Sequence, residues 1–168
     1  MHVADDLRTQ AFRIMQMANL RSLTVATAES CTAGALVHLL AEAPGAGEAL
    51  HGGFVVYSKS HKTVALGVPA DLLARQTAVS GQVAEAMAKG GIERSKADLV
   101  VAITGVAGPE PDEDGNPVDL VYIALASRKG LFRIVEHRLG NLPKDQICQA
   151  AMRSGIGLLE EFITAQGA

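Results

Sequence analysis

Tryptophan is missing altogether, and aromatic residues make up only 4% of the 168 residues. A chain so poor in flat rings offers no platform on which nucleobases could stack. There is no basic tract, and the formal net charge of −3 removes the electrostatic reason to expect a polyanion, so no nucleic acid is expected as a partner. Cysteine occurs twice, at Cys31 and Cys148. With no Cys-x-x-Cys pair, neither a disulfide framework nor a thiolate zinc site is expected. No long uninterrupted apolar run is present, so no membrane partner is expected, and the opening residues with Asp5, Asp6 and Arg8 do not form a signal-peptide pattern. The cytoplasm is the expected compartment. His2, His38, His51, His61 and His137 lack metal-ligand spacing. Asp112, Asp114 and Asn116 alternate as in a calcium loop. The sixth and twelfth positions of such a loop, however, need glycine and a bidentate Glu and here hold Pro117 and Ile123. No metal and no cofactor is expected.

What the chain does have is aliphatic material: 48% of its residues are hydrophobic, enough for one core, so residues 1–168 are read as a single domain. Leu7, Ala11, Ile14, Met15 and Ala18 lie on one stripe of a helix over residues 4–19. A strand from Leu23 leads into a helix carrying Leu36, Val37, Leu39 and Leu40, which Ala43-Pro-Gly-Ala-Gly47 breaks. Further strands are expected at Gly52–Ser58, at Leu99–Thr104 (continuously apolar and so central) and at Val118–Ala126 and Leu131–Arg138, paired as a hairpin. Helices are expected from Lys59 to Leu66, after Pro69, after Ser80 and after Pro143. Val83, Ala86, Met87 and Gly90 form a small-residue face suited to a sheet or a second subunit. The fold class that follows is α/β: a three-layer α/β/α sandwich on a mixed, mostly parallel sheet of about five strands with a C-terminal antiparallel hairpin.

Chemistry is expected at the carboxyl ends of the strands. Ser30 stands where strand becomes helix, either as an N-cap or as a nucleophile whose oxyanion is held by the helix-start amides of Cys31, Thr32, Ala33 and Gly34. Cys31, in the same first turn, is expected to have a lowered thiol pKa, and is either a rival nucleophile or a small filler. Thr104-Gly105-Val-Ala-Gly108 is a second glycine turn, able to bring backbone amides up to a phosphate or carboxylate. A third strand end, Tyr57-Ser-Lys59-Ser-His61-Lys62, supplies ionisable groups. A lysine of lowered pKa can take the proton of a serine, and Tyr57 can relay it or orient the amine. By residue type alone, Lys59 and Lys62 read equally as solvated and Tyr57 as core. His61 is a further possible base.

These segments occur in a known order. Thr27-Ala-Glu-Ser-Cys-Thr-Ala-Gly34, Val56-Tyr-Ser-Lys-Ser-His-Lys62, Leu66-Gly-Val-Pro69, Ala78-Val-Ser80, Thr104-Gly-Val-Ala-Gly-Pro109, Pro117-Val118 and Val121-Tyr-Ile-Ala124 together resemble the C-terminal domain of the competence/damage-inducible CinA proteins. That domain also exists as a stand-alone nicotinamide-nucleotide amidase. The resemblance implies hydrolysis of the carboxamide of nicotinamide mononucleotide to nicotinic acid mononucleotide and ammonia. It implies Ser30 as nucleophile, Lys62 aided by Tyr57 as the proton acceptor, and Thr104, Gly105 and Gly108 as nucleotide contacts. It also implies a homodimer or a higher homo-oligomer.

The sequence departs from the family pattern at four places. Ala33 replaces a common second glycine, and Lys59-Ser-His61 replaces Asn-Glu-Ala. Asp119-Leu120 replaces Gly-Thr, and Asn141-Leu-Pro143 follows Gly140 where Asp-Arg is usual. These departures keep a second reading in view, a non-catalytic nucleotide-binding module of the same fold.

Overall fold

The structure, a computed structural model, describes residues 3–165. In chain order the elements are α1 (Asp5–Leu20), β1 (Val25–Glu29), α2 (Ala35–Ala41), α3 (Ala46–Ala49), β2 (Leu50–Val55) and α4 (Lys59–Leu66). There follow α5 (Ala70–Gln76), α6 (Gly81–Arg94), β3 (Leu99–Gly105), β4 (Leu120–Ser127), β5 (Phe132–Arg138) and α7 (Lys144–Ala165). The five strands lie in the order β2-β1-β3-β4-β5. β1 pairs in parallel with both β2 and β3, whereas β3–β4 and β4–β5 are antiparallel. Only β4 therefore runs against the other four, which is the mixed, mostly parallel sheet expected from the sequence.

Strand β3 is central because it can be buried on both faces. Leu99, Val101 and Ile103 pack with α1, α2, α3 and α7 on one side. Val100 and Ala102 pack with α4, α5 and α6 on the other. The second face is built from small residues, Ala26, Ala28, Ala102, Ala124 and Ala126, set against Ala84, Ala88 and the glycines of α6. Close approach follows: a β-carbon at Gly91 would stand 2.7 Å from Val100. Val83, Met87 and Gly90 of the small-residue face of α6 are thus buried, against the sheet and against Leu66 of α4, and are not available to a second subunit.

Local chemistry sets most boundaries. Ser80 caps α6, its hydroxyl accepting from the Val83 amide at 3.3 Å, a contact of the kind worth about 1 kcal/mol. Ser58 caps α4 through the His61 amide, and α7 starts directly after Pro143. Several boundaries differ from expectation: β2 runs over Leu50–Val55 and not Gly52–Ser58, because Ser58 already caps α4. The segment read as a breaker, 43–47, runs into the one-turn helix α3, because Gly45 turns left-handed (φ 77) and Ala46 and Ala49 bury against α1. β4 begins at Leu120 rather than Val118, since Asp119 takes φ 88. The helix after Ser30 begins at Ala35, after a left-handed pair, Ala33 (φ 52) and Gly34 (φ 92).

Candidate active site

β1 and β3 are neighbouring parallel strands, so the turns that leave them, at Ser30 and at Gly105, emerge on one edge of the sheet. The Ser30 amide donates to the Ile103 carbonyl at 2.9 Å and so ties the two exits together. A third segment arrives from edge strand β2, whose exit leads through Tyr57 into α4. A cleft of about 420 Å³ opens among them, with Ser30, Cys31, Tyr57, Lys62, Thr104, Gly105 and Gly108 in its wall.

Lys62 is the organising group of the cleft. It lies one turn into α4 and is only 1% exposed, although lysine is rarely buried without a partner. Its partners are Ser30 Oγ, to which Nζ donates at 2.8 Å, and the Val56 carbonyl at 3.0 Å. Burial penalises the charged amine; the Cys31 thiol opposes this and the Lys59 ammonium adds to it, and the pKa falls from 10.5 to about 8. Protonated, this amine donates to Ser30. Neutral, it accepts the hydroxyl proton across the same distance.

Ser30 is not a helix cap. The amides at the start of α2 are taken by Glu29, whose carboxylate accepts from Gly34 at 3.1 Å, Leu36 at 3.0 Å and Val37 at 2.8 Å. That corrects the expected oxyanion site. The Ala33 amide goes to the Ser30 carbonyl and the Gly34 amide to Glu29. The Thr32 hydroxyl also goes to Glu29, at 2.7 Å. Among the described residues, the turn's amides without a protein oxygen as acceptor are those of Cys31 and Thr32. Of the four residues expected there, only Cys31 lines the cleft.

Two further expectations change. Tyr57 lines the cleft but is 68% exposed, and neither Ser30 nor Lys62 is its hydrogen-bond partner; the Lys62 amine is oriented by the Val56 carbonyl instead. The Cys31 thiol is pushed up to about 12, not lowered, chiefly by burial and then by the neighbouring Cys148 thiol, against the opposing pull of its own amide and of Lys62. Cys148 lies against it, Sγ standing 3.6 Å from the Cys31 carbonyl oxygen. The Thr104 hydroxyl is engaged with the Ala78 carbonyl at 2.8 Å and so fixes the loop before α6. Gly105 is required by space, because a β-carbon would stand 2.8 Å from the Leu120 carbonyl oxygen. His61, in the solvent-facing first turn of α4, is not in the cleft wall.

The loop after Gly108 brings Glu110, Asp112, Glu113 and Asp114 to the cleft, whose wall also includes Lys59 and Lys144. Lys59 pairs with Asp114 at 2.6 Å and Glu113 at 3.1 Å. Asp112 closes the loop on itself, accepting from the amides of Asp114 and Asn116. Asp119 does not reach the cleft wall; its carboxylate accepts from the Gly140 amide at 2.9 Å and anchors the turn before α7. Among the described residues no three His, Cys, Asp or Glu side chains cluster as metal ligands, and no helix is long and apolar enough to cross a membrane.

Glu29 is the site residue that sequence reasoning did not single out. Its signal was a carboxylate inside an otherwise apolar strand, a position that only a dense set of donors can sustain.

Comparison with known proteins identifies the fold and the family. A family model described as the CinA C-terminal domain matches residues 7–163. A putative competence-damage inducible protein of Desulforamulus reducens is 51% identical over 109 residues, 65% of this chain and 26% of its own length. A CinA-like protein of Geobacter sulfurreducens is 40% identical over 128 residues, 76% of this chain and 31% of its own. The chain thus spans roughly a quarter to a third of the curated relatives it matches. Among solved structures, the competence/damage inducible protein CihA from Agrobacterium tumefaciens superposes with a TM-score of 0.91 at 35% identity, over 96% of this chain and 98% of that one. A CinA superfamily protein from Escherichia coli gives 0.88 at 32% identity, over 96% and 94%.

Proposed function

The chain belongs to the CinA C-terminal domain family, and we propose that it hydrolyses the carboxamide of nicotinamide mononucleotide, yielding nicotinic acid mononucleotide and ammonia. The observation that carries this reading is the buried contact of Lys62 Nζ with Ser30 Oγ at 2.8 Å, at the floor of a cleft. A neutral amine beside a serine hydroxyl is the pairing that makes an alcohol nucleophilic without histidine.

In this mechanism Ser30 Oγ attacks the carboxamide carbon while its proton passes to Lys62. The carbonyl π pair moves onto oxygen, to be met by the Cys31 amide and the amides of Ala107 and Gly108, since that of Val106 is spent on the Leu120 carbonyl. Collapse re-forms the carbonyl and breaks the C–N bond. Lys62 returns its proton to the departing nitrogen, which leaves as ammonia. Water then attacks the Ser30 ester, giving its proton to Lys62; collapse breaks the C–Oγ bond, Lys62 returns that proton to Ser30 Oγ, and the acid is released. Lys62 alone carries the proton in both halves, and Tyr57 serves as cleft wall against the substrate. Ribose and phosphate are assigned in this reading to the Gly105–Gly108 turn and Lys144, which line the same cleft.

The domain acts as a cytoplasmic enzyme without metal or cofactor. A homodimer would have to use a surface other than the buried face of α6.

Ammonia release from nicotinamide mononucleotide, compared between the protein and its Ser30→Ala variant, tests the proposal. Loss of at least about 10³-fold with the fold retained supports it. Equal rates in the two proteins exclude the serine mechanism, and absence of ammonia from both leaves the non-catalytic binding module.

A further inference from the structure

Glu29 ends β1 and is completely buried, 0% exposed. Its two carboxylate oxygens receive five donors from three places. One is the Thr27 hydroxyl on the strand, at 2.9 Å. Two belong to the turn, the Thr32 hydroxyl and the Gly34 amide. Two more are the Leu36 and Val37 amides of α2. A helix cap needs only the last pair. The additional donors fasten the turn itself, where Ala33, left-handed at φ 52, does not hold that path by local preference alone.

Ser30 follows Glu29 directly, and the Ser30 carbonyl is bound within the same turn by the Ala33 amide at 3.0 Å. Any loosening of the turn is therefore passed to the Ser30 hydroxyl. On the opposite side, Lys62 is held from α4 and by the Val56 carbonyl; the Val56 amide donates at 2.8 Å to the backbone carbonyl of Glu29, which a change of the side chain leaves in place, and not to its carboxylate. Only the turn side of the Ser30–Lys62 contact is under the control of that carboxylate.

We propose that Glu29 is a positioning residue for the reaction: its carboxylate locks the 30–34 turn so that the Ser30 hydroxyl seals the buried Lys62 amine and stays within proton-transfer distance of it. A second consequence is that the positive end of α2 is answered by protein rather than by substrate. The oxyanion must then rely on the Cys31 amide and the 105–108 turn. The inference rests on the Ser30–Lys62 reading above, but its readout does not require turnover.

The test uses the full chain labelled at lysine nitrogen and carbon, with the Lys62 resonance assigned by its disappearance in Lys62→Met. In the unaltered protein the amine is expected to titrate near 8. In Glu29→Gln, which keeps the shape and loses the charge, water reaches the amine and its midpoint rises by about one pH unit or more. Ammonia release falls about 100-fold in kcat with KM changed less than about threefold, as expected when a reacting atom is displaced while the groups that hold the substrate stay in place. Should Glu29→Gln fail to fold, Thr32→Val removes a single donor and is expected to move the midpoint the same way by a smaller amount. A folded Glu29→Gln or Thr32→Val protein whose Lys62 midpoint stays at the starting value overturns the proposal. Absence of ammonia release from the unaltered protein refutes the amidase reading instead, and the Lys62 titration still decides the role of Glu29.

Discussion

The backbone of Gly90 in α6 lies against the carbonyl of Leu66 in α4 so closely that a β-carbon on Gly90 would stand 2.0 Å from that oxygen. Leu66 is one turn beyond Lys62 on the same helix, so this contact sets how deeply the lysine enters the cleft. Because the clash would be with backbone and not with a flexible side chain, Gly90→Ala has to push α4 outward. We expect a loss of roughly 1–3 kcal/mol in denaturant unfolding. We also expect about a 100-fold fall in ammonia release per folded molecule as the Lys62 amine withdraws from Ser30. Unchanged stability in the Gly90→Ala variant would show that the two helices are not seated in this way.

The same pair of helices illustrates how far the sequence can be read. Periodicity places α1, α6 and α7 and the apolar run of β3, because burial stripes are written in residue order. The pairing of Ser30 with Lys62 is reachable only through family resemblance: lysine at a helix start is ordinarily solvated, and nothing local announces that α4 lies over the end of β1. The environment of Cys31 is the reverse of what its position suggests, for a related reason. A helix N-terminus lowers a thiol pKa, but here the helix starts four residues later and its amides are spent on Glu29, so burial dominates. Tyr57 stands close to Lys62 in sequence, yet the chain turns between them and leaves the ring at the cleft mouth, 68% exposed.

If neutral Lys62 is the proton acceptor, the rate of ammonia release should follow a single deprotonation. Burial holds the folded-state pKa near 8, so kcat/KM is expected to rise about tenfold per pH unit below that value and level above it. Lys62→Arg, which cannot deprotonate in this range, should abolish the rise together with the activity. A profile centred near 6.5, the ordinary range of histidine, would point to a different base.

Ala33 carries φ 52 at the turn after Ser30, a backbone state that costs a residue with a β-carbon about 1–2 kcal/mol. Glycine occupies it freely but loses more entropy on folding, which takes back part of the gain. Ala33→Gly is therefore expected to stabilise the protein by about 0.5–1 kcal/mol without altering the Ser30–Lys62 contact, and Ala33→Val to destabilise it by more than that. Thermal or urea unfolding of the two variants gives the comparison. Val tolerated as well as Gly would mean that the turn is not left-handed at this position.

Lys62 and Cys31 make opposite contributions to stability as pH rises. The lysine pKa is about 8 in the folded chain against 10.5 ordinarily, so between these values the unfolded chain binds the extra proton and stability rises with pH. Below pH 8 both states are protonated, and the folded protein bears the full penalty of a buried cation, on the order of 3 kcal/mol. The Cys31 thiol is held at about 12 against an ordinary 9.0. Above pH 9 the unfolded chain releases that proton while the folded one keeps it, and stability falls. The two slopes are of similar size, so the gain from Lys62 should be visible mainly from about pH 8 to 9 and be offset from 9 to about 10.5. Because other groups titrate as well, the informative quantity is the difference between the protein and Lys62→Met. In urea unfolding that variant should be more stable at about pH 7 by up to about 3 kcal/mol, with the advantage shrinking as pH passes 8 and closing near 10.5. A difference independent of pH across this interval would mean that the amine is hydrated, and the contact with Ser30 would then lack the dry surroundings that make Lys62 a base.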